Sequence, residues 1–375
     1  GVCRPLVRRY CPAEGPMTYL QGSNSDAAPP LGAPALRLTY APDASRLAVA
    51  TTDGSCSVLR LPTRRYHTSA SQPPPTLVGH TGAIHSLHWS HSGRLLLTAS
   101  ADGSASMWDV SPDSKPAAAP LLRMLHVEQP EPSGSSTSHP LFGSEIRGAR
   151  FFYLDQFLIL AAGNSMYLYG YSVQRTPSND AVRAPELRHR YKLQHKWQLP
   201  HAQYVTCFTA ANSFLSSLVL AAGSDRSLCA FDLGVGKTVL ELPDLHERPC
   251  QALRLHEHAT PEDTAAVGHD LFLTSALDGV VKLWDLRSAA CVRRFAAHSN
   301  RHHPVGVALS PCLRFVCCGS EDHSAYLYDA RSGGMIEQLR HTDAVVSDVA
   351  FNPLYPALAL AGLDGHVCFY ADQPE

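Results

Sequence analysis

A fixed spacing of six residues between an aspartate and a large apolar side chain recurs along the chain, and it limits the possible folds more than any other feature. The stretch 274–287 contains it once, with a turn sequence at Asp278-Gly279 and Trp284 six residues after the aspartate. Apolar runs on both sides of an Asp-Gly pair are typical of a β-hairpin. The same spacing joins five further pairs: Asp53 and Leu59, Asp102 and Trp108, Asp225 and Phe231, Asp322 and Tyr328, and Asp364 and Tyr370.

The distance between successive aspartates gives the size of the repeating unit. It is 49 residues from Asp53 to Asp102, and 53, 44 and 42 residues across the last four aspartates. Units of about this length hold four short strands, which is the content of one propeller blade. A chain of 375 residues is long enough for two or three domains, but the repeat favours one.

Two short phrases connect this repeat to a known family. Leu-Val-Gly-His ends at His80, and Trp-Asp pairs end at Asp109 and Asp285. They resemble the Gly-His and Trp-Asp signatures of the WD-repeat family, and the resemblance covers nearly the whole chain. It implies an all-β fold, a β-propeller of four-stranded antiparallel blades, and counting the blades along the sequence gives a seven-bladed β-propeller.

The turns and apolar runs predict one domain, residues 1–375, that contains all seven blades. Their expected bounds are 35–78, 82–125, 144–199, 202–242, 250–295, 303–339 and 344–372. Residues 1–34 provide a strand at 17–20, which we expect to become the outer strand of the last blade. Because this arrangement closes the ring and covers sheet edges, truncation before about residue 34 should open it.

The family resemblance also implies a hydrogen-bonded tetrad in regular blades. The matching residues are His80, Thr98 (or Ser100), Asp102 and Trp108 in the second blade, and His246, Thr274, Asp278 and Trp284 in the fifth. The carboxylate accepts a hydrogen bond from the imidazole, the imidazole accepts one from the hydroxyl, and the indole N–H also finds a partner. A constellation that recurs around a ring indicates scaffolding, so we predict no catalytic residue.

Composition narrows the classes of function. A net charge of −2, with scattered lysines and arginines, does not indicate a nucleic-acid partner. No signal sequence or apolar run of membrane-spanning length is present, so we expect no membrane partner and an intracellular location, cytoplasmic or nuclear. The eleven cysteines include no Cys-x-x-Cys pair, which favours buried free thiols in a reducing compartment.

Two patterns suggest ligand chemistry but fit it poorly. The phrase Gly-Val-Gly-Lys-Thr at 234–238 ends like a phosphate-binding loop, but Phe231 replaces the required first glycine and no helix pattern follows. Histidines that suggest a metal site lie in two loops, namely His256, His258, His269, His298, His302 and His303. Their irregular spacing does not suit a metal, so we predict no metal and no cofactor.

The sharpest binding signal is an Asp-x-Arg box at the end of the third strand in two successive blades. The boxes contain Asp285 and Arg287, then Asp329 and Arg331. They resemble those of substrate receptors that dock onto the propeller adaptor of cullin-RING ubiquitin ligases. The resemblance implies that both arginines lie on one face and donate to partner carboxylates or carbonyls. The alternative is purely local pairing within each turn.

These observations predict a non-catalytic, monomeric scaffold whose partners are other proteins. In such a fold the function lies on exposed faces, and insertions at 127–143 and 256–269 add variable surface. One alternative is a cullin-RING substrate receptor that docks through the two boxes onto the ligase adaptor. A further alternative, an enzyme that uses the central channel, requires a deep pocket containing polar groups of perturbed pKa.

Overall fold

The computed structural model describes residues 31–61, 74–111, 119–124, 144–174, 188–256, 270–341 and 343–371. Within these ranges the chain forms 27 strands and no α-helix. The strands make seven antiparallel sheets, each an up-and-down meander in chain order. The all-β, seven-bladed propeller predicted from the repeat is therefore confirmed.

Each blade runs from an innermost strand at the channel to an outermost strand at the rim. Blade 1 contains β1 (Ala35–Tyr40), β2 (Arg46–Thr51), β3 (Ser55–Arg60) and β4 (Thr76–Val78), and blade 2 contains β5 (Ile84–Trp89), β6 (Leu95–Ser100), β7 (Ala105–Asp109) and β8 (Leu122–Met124). Blade 3 contains β9 (Ile146–Phe152), β10 (Phe157–Ala162), β11 (Ser165–Gln174) and β12 (Arg188–Gln198). Blade 4 contains β13 (Val205–Ala210), β14 (Leu218–Gly223), β15 (Leu228–Asp232) and β16 (Lys237–Leu242). Blade 5 contains β17 (Cys250–Leu255), β18 (Leu271–Ala276), β19 (Val281–Asp285) and β20 (Ala290–Phe295), and blade 6 contains β21 (Val307–Leu309), β22 (Phe315–Gly319), β23 (Ser324–Asp329) and β24 (Met335–Arg340). Blade 7 contains β25 (Val346–Phe351), β26 (Ala357–Gly362) and β27 (Val367–Ala371).

The apolar core lies between blades rather than within one layer. Seven clusters of buried apolar side chains occupy the seven interfaces between neighbouring blades of the described structure. A middle strand such as β26 is buried along its whole length, whereas the outer strand β20 is exposed except at Phe295. Burial on both faces explains why the middle strands are continuous apolar runs without polar alternation.

The ring closes where blade 7 packs against blade 1. Ser347 Oγ donates to Ala35 O at 2.6 Å, and Leu38 N donates to Asp348 Oδ2 at 3.1 Å. Leu31 N also donates to Gly365 O at 3.1 Å. Within the described residues blade 7 has three strands, and the closing strand predicted at 17–20 lies outside them. The insertions predicted at 127–143 and, except for residue 256, at 256–269 also lie outside them.

Blade 3 differs from the pattern expected for its outer half. The sequence predicts a third strand over 166–169 and an outer strand near 191–199. The structure extends these strands into a ladder of ten and eleven residues, β11 and β12. A period-two alternation of aromatic and polar residues through Tyr171 and Tyr191 carries the pairing beyond the blade core.

The meander separates the turns into two sets, because successive strands run in opposite directions. Turns between second and third strands lie on one face with the links between blades. This face includes the turns at Asp102 and Asp278 and is called the tetrad face below. Turns between first and second strands, and between third and fourth strands, lie on the opposite face. Within the described part of the chain, no helix is long and apolar enough to cross a membrane.

Candidate binding surfaces and central channel

Blade 2 brings His80, Thr98, Asp102 and Trp108 into one chain of hydrogen bonds. His80 Nδ1 lies 3.1 Å from Asp102 Oδ2, and His80 Nε2 lies 2.7 Å from Thr98 Oγ1. Trp108 Nε1 donates to Thr98 Oγ1 at 3.0 Å. Because an ionised carboxylate can only accept, Nδ1 carries the imidazole proton and Nε2 accepts from the hydroxyl. Ser100 does not take part in this series of hydrogen bonds, since its hydroxyl donates to Gly82 O at 2.8 Å.

Burial and hydrogen bonding set the protonation states of this tetrad. Burial would raise the pKa of Asp102, but hydrogen bonds from Ser104 and Thr81 and the nearby His80 outweigh it and bring the pKa to about 2. Desolvation lowers the pKa of His80, and the neighbouring Asp102 only partly opposes it. The pair is therefore a neutral imidazole that donates to a carboxylate, which is a stable structural arrangement at neutral pH.

The glycine of the Gly-His motif has a steric role in this blade. A Cβ on Gly79 would lie 2.9 Å from the Trp108 ring, so only glycine lets the strand-to-strand link pass over the indole. His80 is then held against the turn, because Thr81 N also donates to Asp102 Oδ2 at 3.0 Å. The tetrad thus fastens the segment that enters the blade onto the turn of the same blade.

Blade 5 repeats the arrangement with His246, Thr274, Asp278 and Trp284. His246 Nδ1 lies 2.9 Å from Asp278 Oδ2, and His246 Nε2 lies 2.8 Å from Thr274 Oγ1. Trp284 Nε1 donates to Thr274 Oγ1 at 2.9 Å. Burial would raise the pKa of Asp278, but the hydrogen bond from His246 and its charge lower it.

Blades 6 and 7 keep the histidine but lack the complete hydrogen-bonded tetrad of blades 2 and 5. His298 Nδ1 lies 3.2 Å from Tyr328 Oη, and desolvation lowers the pKa of His298 to about 4. His341 Nε2 lies 3.8 Å from Asp364 Oδ1, beyond hydrogen-bond range. A tyrosine thus occupies the tryptophan position in blade 6, where it contacts the histidine directly.

The two Asp-x-Arg boxes lie on turns of the opposite face, after β19 and β23. Each aspartate accepts from the backbone of its own turn: Asp285 Oδ1 from Arg287 N at 2.9 Å, and Asp329 Oδ1 from Arg331 N at 2.7 Å. The Arg287 side chain is 75% exposed, with Nε 3.9 Å from Asp270 Oδ2. The aspartates therefore have a local role, while both arginines are exposed.

A third arginine connects the second of these turns to blade 5. Arg293 on β20 donates from Nε to the carbonyl oxygen of Arg331 at 2.8 Å. The turn of blade 6 is thereby tied to the outer strand of blade 5. Spacing within a single repeat gives no signal for this bond, because it joins two blades.

A second surface on the opposite face carries large apolar side chains. Tyr153 and Leu154 are 42% and 38% exposed in the turn between β9 and β10, and Phe214 and Leu215 are 60% and 58% exposed in the turn between β13 and β14. We call these four residues the apolar patch. The turns belong to neighbouring blades 3 and 4 and are joined by the hydrogen bond from Asn212 Nδ2 to Asp155 Oδ1.

The backbone under half of this patch is strained. Tyr153, Leu154 and Asp155 have φ values of 53°, 52° and 65°, all in the left-handed region that residues with a Cβ rarely adopt. Asp155 holds the turn in place: its Oδ1 accepts from His91 N at 2.8 Å and from Asn212 Nδ2 at 2.6 Å. Strain that neighbouring blades stabilise in this way is often found at functional surfaces.

The central channel has a feature that recurs from blade to blade. In six blades the innermost strand contains an unpaired extra residue near its start, a β-bulge that redirects the strand. The residues directly after these bulges are Arg37, Ser86, Gly148, Cys207, Ala252 and Asp348. Such bulges bring chemically different side chains to the same level of the channel.

A cavity of about 190 Å³ opens at this level. Its lining includes Arg37, Arg147, Arg150, Arg254 and Glu145. Glu145 pairs with Arg147 and accepts from its guanidinium. Arg254 Nη2 lies 3.6 Å from Oδ2 of the fully buried Asp348.

Desolvation lowers the pKa of Arg37, although Asp348 partly opposes this effect. The cavity therefore has the polar, perturbed groups that the enzyme alternative requires, and that alternative stays a prediction.

The positions of the remaining candidate residues follow their local structure. Residues 234–238 form a turn and the start of β16, a strand rather than the helix that a phosphate loop needs. His256 Nε2 lies 3.1 Å from Pro311 O, whereas His258 and His269 lie outside the described residues. His302 and His303 are exposed in a loop bound to Glu321. Across the described ranges, no three His, Cys, Asp or Glu side chains are placed to hold a metal ion.

Comparison with known proteins agrees with this architecture. Residues 71–109 and 289–329 match the family model described as "WD domain, G-beta repeat". A 60-residue stretch is 35% identical to the LEC14B homolog of Prunus armeniaca, and covers 16% of this chain and 13% of that protein. The chain is also 29% identical over 103 residues to WD repeat domain-containing protein 83 of Danio rerio, and 26% identical over 195 residues to Transducin beta-like protein 3 of Bos taurus. These two matches cover 28% and 48% of this chain and 32% and 22% of the relatives, so each covers about a third or less of its relative.

Proposed function

Because the chain is a seven-bladed β-propeller with two segments that match WD40 repeats, we propose that it is a non-catalytic protein-interaction scaffold that binds a partner protein through the apolar patch. The observation that carries this proposal is the exposure of Tyr153, Leu154, Phe214 and Leu215 on two adjoining turns. Aromatic and aliphatic side chains grouped in this way are typical of the centre of a protein interface.

The rigidity of the patch supports the same proposal. Asp155 connects the turn of blade 3 to blade 2 through His91 and to blade 4 through Asn212. Tyr171 Oη also donates to the carbonyl oxygen of Asp155 at 2.6 Å. A surface that is already ordered loses little conformational entropy on binding, so more of the contact energy remains for affinity.

The test compares partners recovered with the wild type and with a Phe214→Ser, Leu215→Ser variant. Tagged proteins are purified from cells, and their partners are quantified by mass spectrometry. We expect the variant to lose, by about tenfold or more, a partner whose apolar contact it no longer buries. The matched control is Val235→Ser, Val239→Ser, which changes two equally exposed apolar residues of the same blade, 65% and 53% exposed. Equal recovery of every partner by all three proteins would show that the patch is not the contact surface.

A second candidate is a substrate receptor that docks onto the adaptor of a cullin-RING ubiquitin ligase. It is supported by the exposed Arg287 and Arg331 on equivalent turns of adjacent blades, with the second turn fixed by Arg293. Two guanidinium groups in this position offer planar donors to carboxylates or carbonyls of a partner. The arginines share the opposite face with the apolar patch, so a receptor would have its adaptor and other contacts on one side.

This candidate is tested with an Arg287→Ala, Arg331→Ala double variant. If it is right, the wild type recovers the ligase adaptor and the double variant recovers about tenfold less or none. Arg226→Ala serves as the control, because Arg226 is also an exposed arginine but lies on the tetrad face, where it pairs with Asp244 at 2.7 Å. Absence of the adaptor from every sample would remove this candidate and leave the apolar-patch proposal to its own test.

Location and assembly remain part of the proposal. We infer an intracellular, monomeric protein in the cytoplasm or nucleus, as the cysteine and charge patterns predict. Fluorescence microscopy of the tagged chain and light scattering of the purified protein measure the two properties. Secretion, or a mass of two chains or more, would contradict them.

A further inference from the structure

Two cysteines meet in the wall of the channel, on the innermost strands of neighbouring blades. Cys207 lies on β13 and Cys250 begins β17, with the two Sγ atoms 3.8 Å apart. Cys207 Sγ also lies 3.6 Å from Cys250 O, and Cys250 Sγ lies 3.2 Å from Ala252 O. A disulfide needs an S–S distance of about 2.05 Å, so a movement of about 1.8 Å would join them. A side-chain rotation of the half-buried Cys207 provides movement of this size.

The charges around this pair are unbalanced. Arg37 and Arg254 interact with the single carboxylate of Asp348, so two positive charges face one negative charge. Ionisation of the Cys207 thiol would supply the second negative charge. The hydrogen bond between Cys207 and Cys250, together with Arg37 and Arg254, lowers the pKa of Cys207 despite its burial. The same hydrogen bond and burial raise the pKa of Cys250, which keeps its proton.

Access distinguishes Cys207 from the other buried thiols. Cys207 lines the 190 Å³ cavity, which a small molecule in the channel can enter. Cys317 and Cys318 are fully buried, and burial raises the pKa of both thiols. Cys291 is exposed, but partial desolvation raises the pKa of its thiol as well. An accessible thiol of lowered pKa next to a second thiol is the arrangement that reacts with oxidants.

We propose that Cys207 and Cys250 form an oxidation site in the channel, where a peroxide oxidant converts the two thiols into a disulfide between blades 4 and 5. The Cys207 thiolate attacks one peroxide oxygen, so an S–O bond forms, the O–O bond breaks and hydroxide leaves. The Cys250 sulfur then attacks the Cys207 sulfenic acid, so the S–S bond forms and the S–O bond breaks. With the proton from Cys250 and one from solvent, hydrogen peroxide is reduced to two waters as the two sulfurs together lose two electrons.

The disulfide would change the channel in two ways. It would covalently connect innermost strands that now touch only through side chains and hydrogen bonds. It would also remove the ionisable thiol of Cys207, so the negative charge that this thiol carries when ionised would be lost and the cavity would become more positive. Binding of an anionic group in the channel would therefore depend on the redox state.

The test uses the full chain, reduced and then treated with hydrogen peroxide. Remaining thiols are alkylated, the protein is digested without reductant, and peptides are identified by mass spectrometry. We expect a crosslinked pair of peptides that contain Cys207 and Cys250, loss of two of the eleven thiols, and recovery of both on reduction. Cys291 provides the internal control for an exposed thiol without a thiol partner. If Cys207 and Cys250 stay fully alkylated after peroxide, the proposal is wrong.

A Cys250→Ser variant isolates the first chemical step. Without the second thiol, a sulfenic acid at Cys207 should persist and be labelled by dimedone. The wild type should show several-fold less label, because its sulfenic acid is consumed by the disulfide. Equal labelling of Cys207 in both proteins would contradict the role of Cys250. Should the variant fold poorly, the alkylation rates of Cys207 and Cys291 are compared in the wild type instead. We expect Cys207 to be alkylated faster than Cys291. An equal or slower rate at Cys207 would overturn the proposal.

Discussion

At the scale of single residues, the hydroxyl of Thr98 connects two buried ring nitrogens, one from the imidazole of His80 and one from the indole of Trp108. Replacing it by the isosteric valine leaves Trp108 Nε1 and His80 Nε2 unsatisfied in a site where Trp108 is 1% exposed. We expect Thr98→Val to lower the free energy of unfolding by about 2 to 4 kcal/mol. Urea unfolding at neutral pH measures the change.

A control at an exposed threonine separates this effect from the general cost of the substitution. Thr52→Val changes the same groups in the turn of blade 1, and should alter the free energy of unfolding by less than about 0.5 kcal/mol. Similar losses for the two variants would mean that the tetrad does not stabilise blade 2.

The carboxylate of Asp102 makes this stabilisation depend on pH. Its pKa falls from 3.8 to about 2 on folding, so the folded state favours the ionised form. A lowered pKa gives stability that is present above the unfolded value and is lost as pH falls towards the folded value. We expect the difference in unfolding free energy between wild type and Asp102→Asn to be on the order of 1–2 kcal/mol above pH 4, after allowing for screening by water.

The measurement is urea unfolding of both proteins from pH 6 down to pH 3. The difference between them should shrink below about pH 4, where the carboxyl of the unfolded chain takes up a proton. A difference that stays constant over the whole range would show that ionisation of Asp102 contributes nothing to stability.

At the scale of elements, the turn between β9 and β10 combines two separable contributions. Asp155 supplies hydrogen bonds to His91 and Asn212, and its backbone has a φ of 65°. Asp155→Ala and Asp155→Gly both remove the carboxylate, but only alanine keeps the strain of a Cβ at positive φ. We therefore expect Asp155→Gly to be more stable than Asp155→Ala by about 1 kcal/mol, with both less stable than the wild type.

The same pair of substitutions at Asp43 provides the control. Asp43 lies in the corresponding turn of blade 1, where its φ is not positive. Glycine should be the less stable choice there, because it loses more conformational freedom on folding. Thermal unfolding of the four variants gives the order of their stabilities. A melting temperature lower for Asp155→Gly than for Asp155→Ala would show that the backbone at residue 155 is not strained.

Hairpins were predictable from the sequence because their signals are local. The Asp278-Gly279 turn and the apolar run through Leu283 lie within a few residues of each other, and β18 and β19 form on either side. The long ladder of β11 and β12 was not predicted, since its pairing depends on strands that continue past an insertion. The bulges were also missed, because an unpaired residue such as Thr206 differs from its neighbours only in register.

At the scale of the whole molecule, the channel shows why spacing within a repeat cannot predict contacts between blades. Arg37, Cys207, Arg254 and Asp348 come from four different blades, and they meet only because the ring closes. Gly306 illustrates the same dependence, since a Cβ there would lie 1.6 Å from Asp348 Oδ1. Nothing local to residue 306 signals this need for space. The tetrads could be assigned from sequence spacing because the members of each lie within one repeat. The channel cluster could not, because its members come from four blades.

Ring closure provides the last prediction, because blade 7 has only three strands in the described residues and β27 forms its outer edge. We expect a variant that begins at residue 34 to lose the strand predicted at 17–20 and the bond from Leu31 N to Gly365 O. Leu31 also leaves the apolar cluster between blades 7 and 1. Without these contacts the edge of β27 opens to solvent, and an open edge invites association with other chains.

Hydrogen exchange tests this directly. Amides of Val367–Ala371 should exchange at least about tenfold faster in the variant that begins at residue 34, and its melting temperature should fall. A variant that begins at residue 17 is the matched control, since it keeps both the predicted strand and Leu31. If β27 is equally protected in the two variants, the segment at 17–20 does not pair with it. If the amides of β27 lose their protection already in the variant that begins at residue 17, the closing contact lies before residue 17. Only residues 1–16 distinguish that variant from the full chain.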